Sequence, residues 1–154
     1  DYGERWQTEP ATALQEAYQH GLTVGSECAA VGVDVVFSPV VDLDYGISEV
    51  IGNRAFHRRP EVVADLAAAM IRGLHDGGVT AVAKHFPGHG GVEADSHLQF
   101  AIDQREREQI EEDLYPYQKL IAAGLRAVMM AHVCFPRIDS QPAGYSAYWV
   151  EQLR

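Results

Sequence analysis

The apolar residues of this chain switch repeatedly between a helical period and short β-branched runs, and that alternation restricts its fold more than any single motif. From Thr8 the spacing predicts a helix. Thr8 caps it, Pro10 suits its first turn, and Leu14, Tyr18, Leu22, Gly25 and Ala29 fall along one face up to Gly32. "VDVVFSPVV", Val33 to Val41, follows as a strand without polar alternation, which fits a strand covered on both faces. A second helix opens near Pro60, turns Val62, Val63, Leu66, Met70 and Leu74 inward, and stops at "DGG", Asp76 to Gly78. "VTAVAKH" is the next strand, ending at His85. "DQRE", Asp103 to Glu106, reads as a capping box for a third helix through Ile110, Leu114, Tyr117 and Ile121. Pro116 is expected to kink or split that helix, and Gly124 to end it. "LRAVMMAH" predicts a third strand, and Ser146 caps a last helix over "AYWVEQLR".

Strand and helix repeated at this spacing build a parallel sheet from right-handed βα units. A doubly wound sheet and a (β/α)8 barrel both satisfy the pattern. A barrel takes about 250 residues, so in a chain of 154 the barrel reading makes residues 1–154 part of one domain, its middle βα units.

A formal net charge of -10, from 22 acids against 12 Lys and Arg, argues against nucleic acid or an anionic membrane as the main partner, since both reward basic patches. No apolar run approaches the ~20 residues that span a bilayer, and "DYGERWQTEP" lacks the features of a signal peptide. Cys28 and Cys134 stand far apart without a metal-ligand pattern, which suits reduced thiols of an intracellular protein.

Each strand is apolar until its C-terminal end, and the polar residues gather there: Asp42 and Asp44 after the first, Lys84 and His85 after the second, His132 after the third. Parallel α/β folds place their active sites on the loops that follow those ends. "KHFPGHGGVEADSH", Lys84 to His97, is therefore expected as a loop over the mouth of a site. Asp95 and His97, two apart, point to the same side of an extended segment, so the carboxylate can orient the imidazole for proton transfer near neutral pH. Lys84, His85 and Arg54 would offer hydrogen bonds to hydroxyls. Plainer readings stay open: loop capping for Asp42 and Asp44, backbone shaping between glycines for His89, a place behind the ligand contacts for His132, a surface ion pair for Arg54. Tyr145, Tyr148 and Trp149 read as packing residues. His85, His89, Asp95 and His97 also have zinc-ligand chemistry, although no helical His-x-x-x-His pair supports it. A non-catalytic sugar-binding or assembly module is the other alternative.

"KHFPGHGGVEADSH", with "SPVVDLDYGISEVIGNRAFHRRP" upstream and "LRAVMMAHVCFPRIDSQPAGYSAYWVEQLR" downstream, resembles the bacterial β-N-acetylhexosaminidases of glycoside hydrolase family 3. The resemblance implies a cytoplasmic (β/α)8-barrel enzyme, without cofactor or metal, that removes N-acetylglucosamine (GlcNAc) with retention from β-1,4-linked anhydro-MurNAc or MurNAc muropeptides in peptidoglycan recycling. It makes His97 the general acid/base, Asp95 the residue that holds it, and Arg54, Lys84 and His85 the sugar-binding residues. The family's aspartate nucleophile sits in a Ser-Asp motif on a late strand, and this sequence has no Ser-Asp pair. The chain is thus expected to be an internal piece of the enzyme, without early strands or nucleophile, and inactive by itself.

Overall fold

The computed structural model describes residues 2–93 and 101–154. Helix α1 (Tyr2–Thr8) leads into the long α2 (Pro10–Ala30). Thr8 is no cap for it: α2 opens after Glu9 without a side-chain cap, and the Thr8 hydroxyl donates instead to the Arg5 carbonyl at 3.3 Å. The buried face of α2 is Ala13, Ala17, Gly21 and Gly25, one position from the larger residues that the apolar period favoured. The reason is α3 (Pro60–Asp76), which lies so close that a Cβ at Gly21 would collide with the Met70 carbonyl and one at Gly73 with the Tyr18 carbonyl. Only small residues fit at such a crossing, and Leu14, Tyr18 and Leu22 flank it. α3 itself follows the sequence pattern, with Val62, Val63, Leu66, Met70 and Leu74 buried. A fully buried leucine or valine contributes about 1.5–3 kcal/mol, so Val63, Met70 and Leu74 anchor α3 to the strands while Val62 and Leu66 anchor it to α1 and α2.

All strand pairings but the last are parallel. β1 (Val35–Val36) pairs with β2 (Thr80–Ala81), and an isolated parallel bridge from Val40 to Lys84 carries that ladder onward. β3 (Ala83–Phe86) pairs in turn with β5 (Val128–Met130), placing Ala83 opposite Val128 and Lys84 opposite Met129. β4 (Ala101–Ile102) runs parallel to β6 (Val133–Phe135), which meets β7 (Asp139–Pro142) antiparallel. The expected third strand, Leu125 to His132, is realised only as β5, and β6 begins just beyond it, after His132. The first strand is not covered on both faces: Val33, Val35 and Phe37 are exposed, because alternate side chains of an extended segment share a face and among the described residues nothing packs on that one.

α4 (Arg107–Ala122) runs unsplit through Pro116. Its capping box is Glu106 with Gln109, so Asp103 is free for another task. α5 (Ala147–Glu151) is capped as expected, the Ser146 hydroxyl oxygen accepting from the Trp149 N–H at 3.2 Å. Between α4, α5 and the sheet the core closes on edge-to-face rings, Phe86 with Tyr117 at 5.1 Å and Phe135 with Trp149 at 5.2 Å between centroids. Tyr145, by contrast, is exposed and packs no core.

Candidate active site at the carboxyl ends of the strands

Arg54, Lys84 and His85 come from two elements and line one pocket of about 310 Å³, together with Phe37, Val50, His89, Met129, Met130 and His132. Lys84 and His85 belong to the end of β3, and Arg54 to a 3-10 turn, Gly52–Arg54. The Val50 carbonyl accepts from Arg54 Nε at 3.1 Å and Nη2 at 2.6 Å, which fixes the guanidinium at the rim. Burial, followed by the Arg54 charge, lowers Lys84 below the usual lysine range, and Asp42 opposes them. A second cavity, about 600 Å³, adjoins the first through Phe37, Arg54 and Lys84 and extends past Tyr2, His20 and Met70. Sequence reasoning gave no hint of it.

Asp42 organises the pocket from below. Its buried carboxylate accepts from His85 Nδ1 at 2.7 Å, from the His85 backbone N–H at 3.3 Å and from the His89 backbone N–H at 2.8 Å. A carboxylate only accepts, so His85 carries its proton on Nδ1 and leaves Nε2 for a ligand. His89 is buried edge-on to His85, with ring centroids 5.9 Å apart. Asp44 does cap its loop, accepting from the Gly46 N–H at 2.9 Å. Asp95 and His97 lie outside the described residues. Zinc-ligand chemistry finds no assembly among the described residues, where no group of three His, Cys, Asp or Glu could hold a metal ion. Nor is any described helix long and apolar enough to cross a membrane.

Behind the glycine-rich loop lies a charged cluster that the sequence reading missed. Arg105 donates to Asp103 from Nε and Nη2, the latter at 2.7 Å, and to Asp113 from Nη1 at 2.9 Å. Tyr45 donates to Asp113 at 2.8 Å and lies under both the Arg105 and Arg58 guanidinium groups. Burial alone would pull the Arg105 guanidinium down, but hydrogen bonds to Asp103 and the charges of both acids hold it above its usual range. With two buried acids sharing one arginine, one is undercompensated: burial pushes Asp113 up to about 6 against the pull of Arg105. Burial and then the Asp113 charge push Tyr45 up to about 12. A signal for this cluster existed, since Asp113 interrupts the inward face of α4 between Ile110 and Tyr117.

Parallel βα units with a polar pocket at the strand ends define an α/β chain of the barrel type. Residues 5–154 match the glycosyl hydrolase family 3 N terminal domain. A beta-hexosaminidase of Bordetella avium is 51% identical over 152 residues, 98% of this chain and 43% of that protein. One of Nitrosospira multiformis is 46% identical over 154 residues, 99% of this chain and 44% of that protein. The crystal structure of NagZ from Neisseria gonorrhoeae in complex with N-trifluoroacetyl-D-glucosamine superimposes with a TM-score of 0.93 at 46% identity, over 99% of this chain and 45% of that one. The chain belongs to glycosyl hydrolase family 3, and it spans less than half the length of these relatives.

Proposed function

We propose that the full-length protein is a retaining exo-β-N-acetylglucosaminidase acting in the cytoplasm. It removes GlcNAc from β-1,4-linked anhydro-MurNAc or MurNAc muropeptides during peptidoglycan recycling. The observation that carries the reading is the convergence of Arg54, Lys84 and His85 on one pocket at the strand ends of a family 3 chain. In this reading Arg54 and Lys84 donate to the hydroxyls of the terminal sugar, and His85, its Nδ1 occupied by Asp42, meets it through Nε2. His97 gives a proton to the glycosidic oxygen as the bond breaks and takes one from water in the second step, with Asp95 orienting the ring. A retaining reaction also needs a carboxylate nucleophile, which the family resemblance sets in a Ser-Asp motif; this sequence has no Ser-Asp pair, and in this reading the 154 residues alone have no hydrolase activity.

The test is hydrolysis of 4-nitrophenyl N-acetyl-β-D-glucosaminide by the full-length protein beside its His97→Ala variant. Loss of a general acid/base lowers kcat/KM by about 10²–10⁴-fold. Absence of turnover in the wild type, or full activity in His97→Ala, would overturn the reading.

A further inference from the structure

The glycines of "PGHGG" are not there for their backbone angles. Gly88, Gly90 and Gly91 all have φ outside the left-handed region, which among the described residues is occupied by Gly32, Gly46, Gly52, Gly78 and Gly124. What these three use is the missing Cβ. One built at Gly90 would collide with the Leu43 carbonyl, one at Gly88 would stand 2.7 Å from Asp113 Oδ1, and one at Gly91 would collide with the Arg105 guanidinium. The loop therefore lies in contact with the Arg105 cluster, with no side chain between. That cluster is itself rigid, because Asp103 and Asp113 are both buried and together engage Nε, Nη1 and Nη2 of Arg105. Replacing a buried ion pair by apolar residues is often neutral or stabilising, so burying this one is a poor device for stability. Its fork geometry is a good device for placing one plane of atoms accurately.

We infer that Arg105 is a positioning residue for the substrate pocket: held by Asp103 and Asp113, its guanidinium is the floor under Gly91, as Asp113 is under Gly88, and it sets where His89 and His85 stand in the pocket wall. Asp42 holds the same loop from the other side through the His89 N–H, so the histidines are gripped between a carboxylate in front and a guanidinium behind. The effect on turnover rests on the glycosidase reading above; the effect on histidine placement does not.

The experiment compares full-length wild type, Gly91→Ala, Arg105→Lys and the double variant in two ways. Steady-state hydrolysis of 4-nitrophenyl N-acetyl-β-D-glucosaminide is measured well below each thermal midpoint, and the ring resonances of His85 and His89 are followed by NMR. Gly91→Ala and Arg105→Lys are each expected to lower kcat/KM about tenfold or more and to shift the His89 ring resonances. The double variant is expected to lose less than the product of the two, since a lysine lacks the fork that the added methyl meets. Unmoved histidine resonances in both single variants, or an unchanged kcat/KM in both with an active wild type, would overturn the inference. An inactive wild type whose histidine resonances still shift in the variants would sink the glycosidase reading and leave the positioning role standing. Should Gly91→Ala fail to fold, Arg105→Lys alone decides between these outcomes.

Discussion

Glycine brings backbone against its neighbour in two parts of this molecule, and the neighbours differ. Between α2 and α3 the glycines at 21, 25 and 73 let two helices meet main chain to main chain across an apolar seam. In the loop after β3, the glycines at 88, 90 and 91 lay the chain on the Leu43 carbonyl and on the buried charges of Arg105 and Asp113. A seam of the first kind holds the fold, because close packing is its whole content. Contact of the second kind fixes a position, because a clamped guanidinium cannot relax as a leucine would.

Substitutions that refill the missing Cβ separate the two regions. The largest stability loss is expected for Gly73→Leu, whose side chain meets the Tyr18 carbonyl and the Leu22 N–H, atoms that cannot swing away. Overpacking there costs about 3 kcal/mol or more, read as a fall in the thermal or urea midpoint. An unaltered midpoint would mean that the helices slide apart freely and that the seam is no constraint.

Asp42→Ala tests the front grip on the loop. It strips the acceptor from His85 Nδ1 and from two backbone N–H groups. Kinetics should show kcat/KM lowered about 100-fold, equivalent to about 2.7 kcal/mol at 1.36 kcal/mol per decade, and Asp42→Asn, which keeps an acceptor oxygen, should retain more activity than Asp42→Ala. Equal kinetics in wild type and Asp42→Ala would remove the carboxylate from the site. The smallest effect is one of pH. The folded value of Asp113, about 6, lies above the ~3.9 of an unfolded aspartate. The folded protein therefore keeps a proton that the unfolded chain releases, and this group's contribution to stability falls as pH rises from about 4 to 6. Asp113→Asn removes that slope, so its midpoint should decline less across the window than the wild type's. Parallel profiles would show that the buried cluster does not titrate there.

How much of this was legible follows the same division. α3 could be read because its inward residues are large, whereas the buried face of α2 is alanine and glycine, which a search for apolar period passes over in favour of Leu14, Tyr18 and Leu22. The loop drew notice through its histidines and its place after a strand, and Arg54, Lys84 and His85 do line one pocket. Its support did not, since Asp103 and Arg105 looked like the start of a helix, while the acid on the inner face of α4 was the clue. The open face of Val33, Val35 and Phe37 was misread because a β-branched run looks alike whether one side or both are covered.

The most direct test of the central claim, that this pocket is the sugar site, is a crystal structure of the full-length protein with GlcNAc bound. Sugar hydroxyls within hydrogen-bond reach of Lys84 Nζ, the Arg54 guanidinium and His85 Nε2, about 2.7–3.2 Å, are the predicted result. A sugar bound elsewhere, with Lys84 and His85 making no contact to it, would contradict the account.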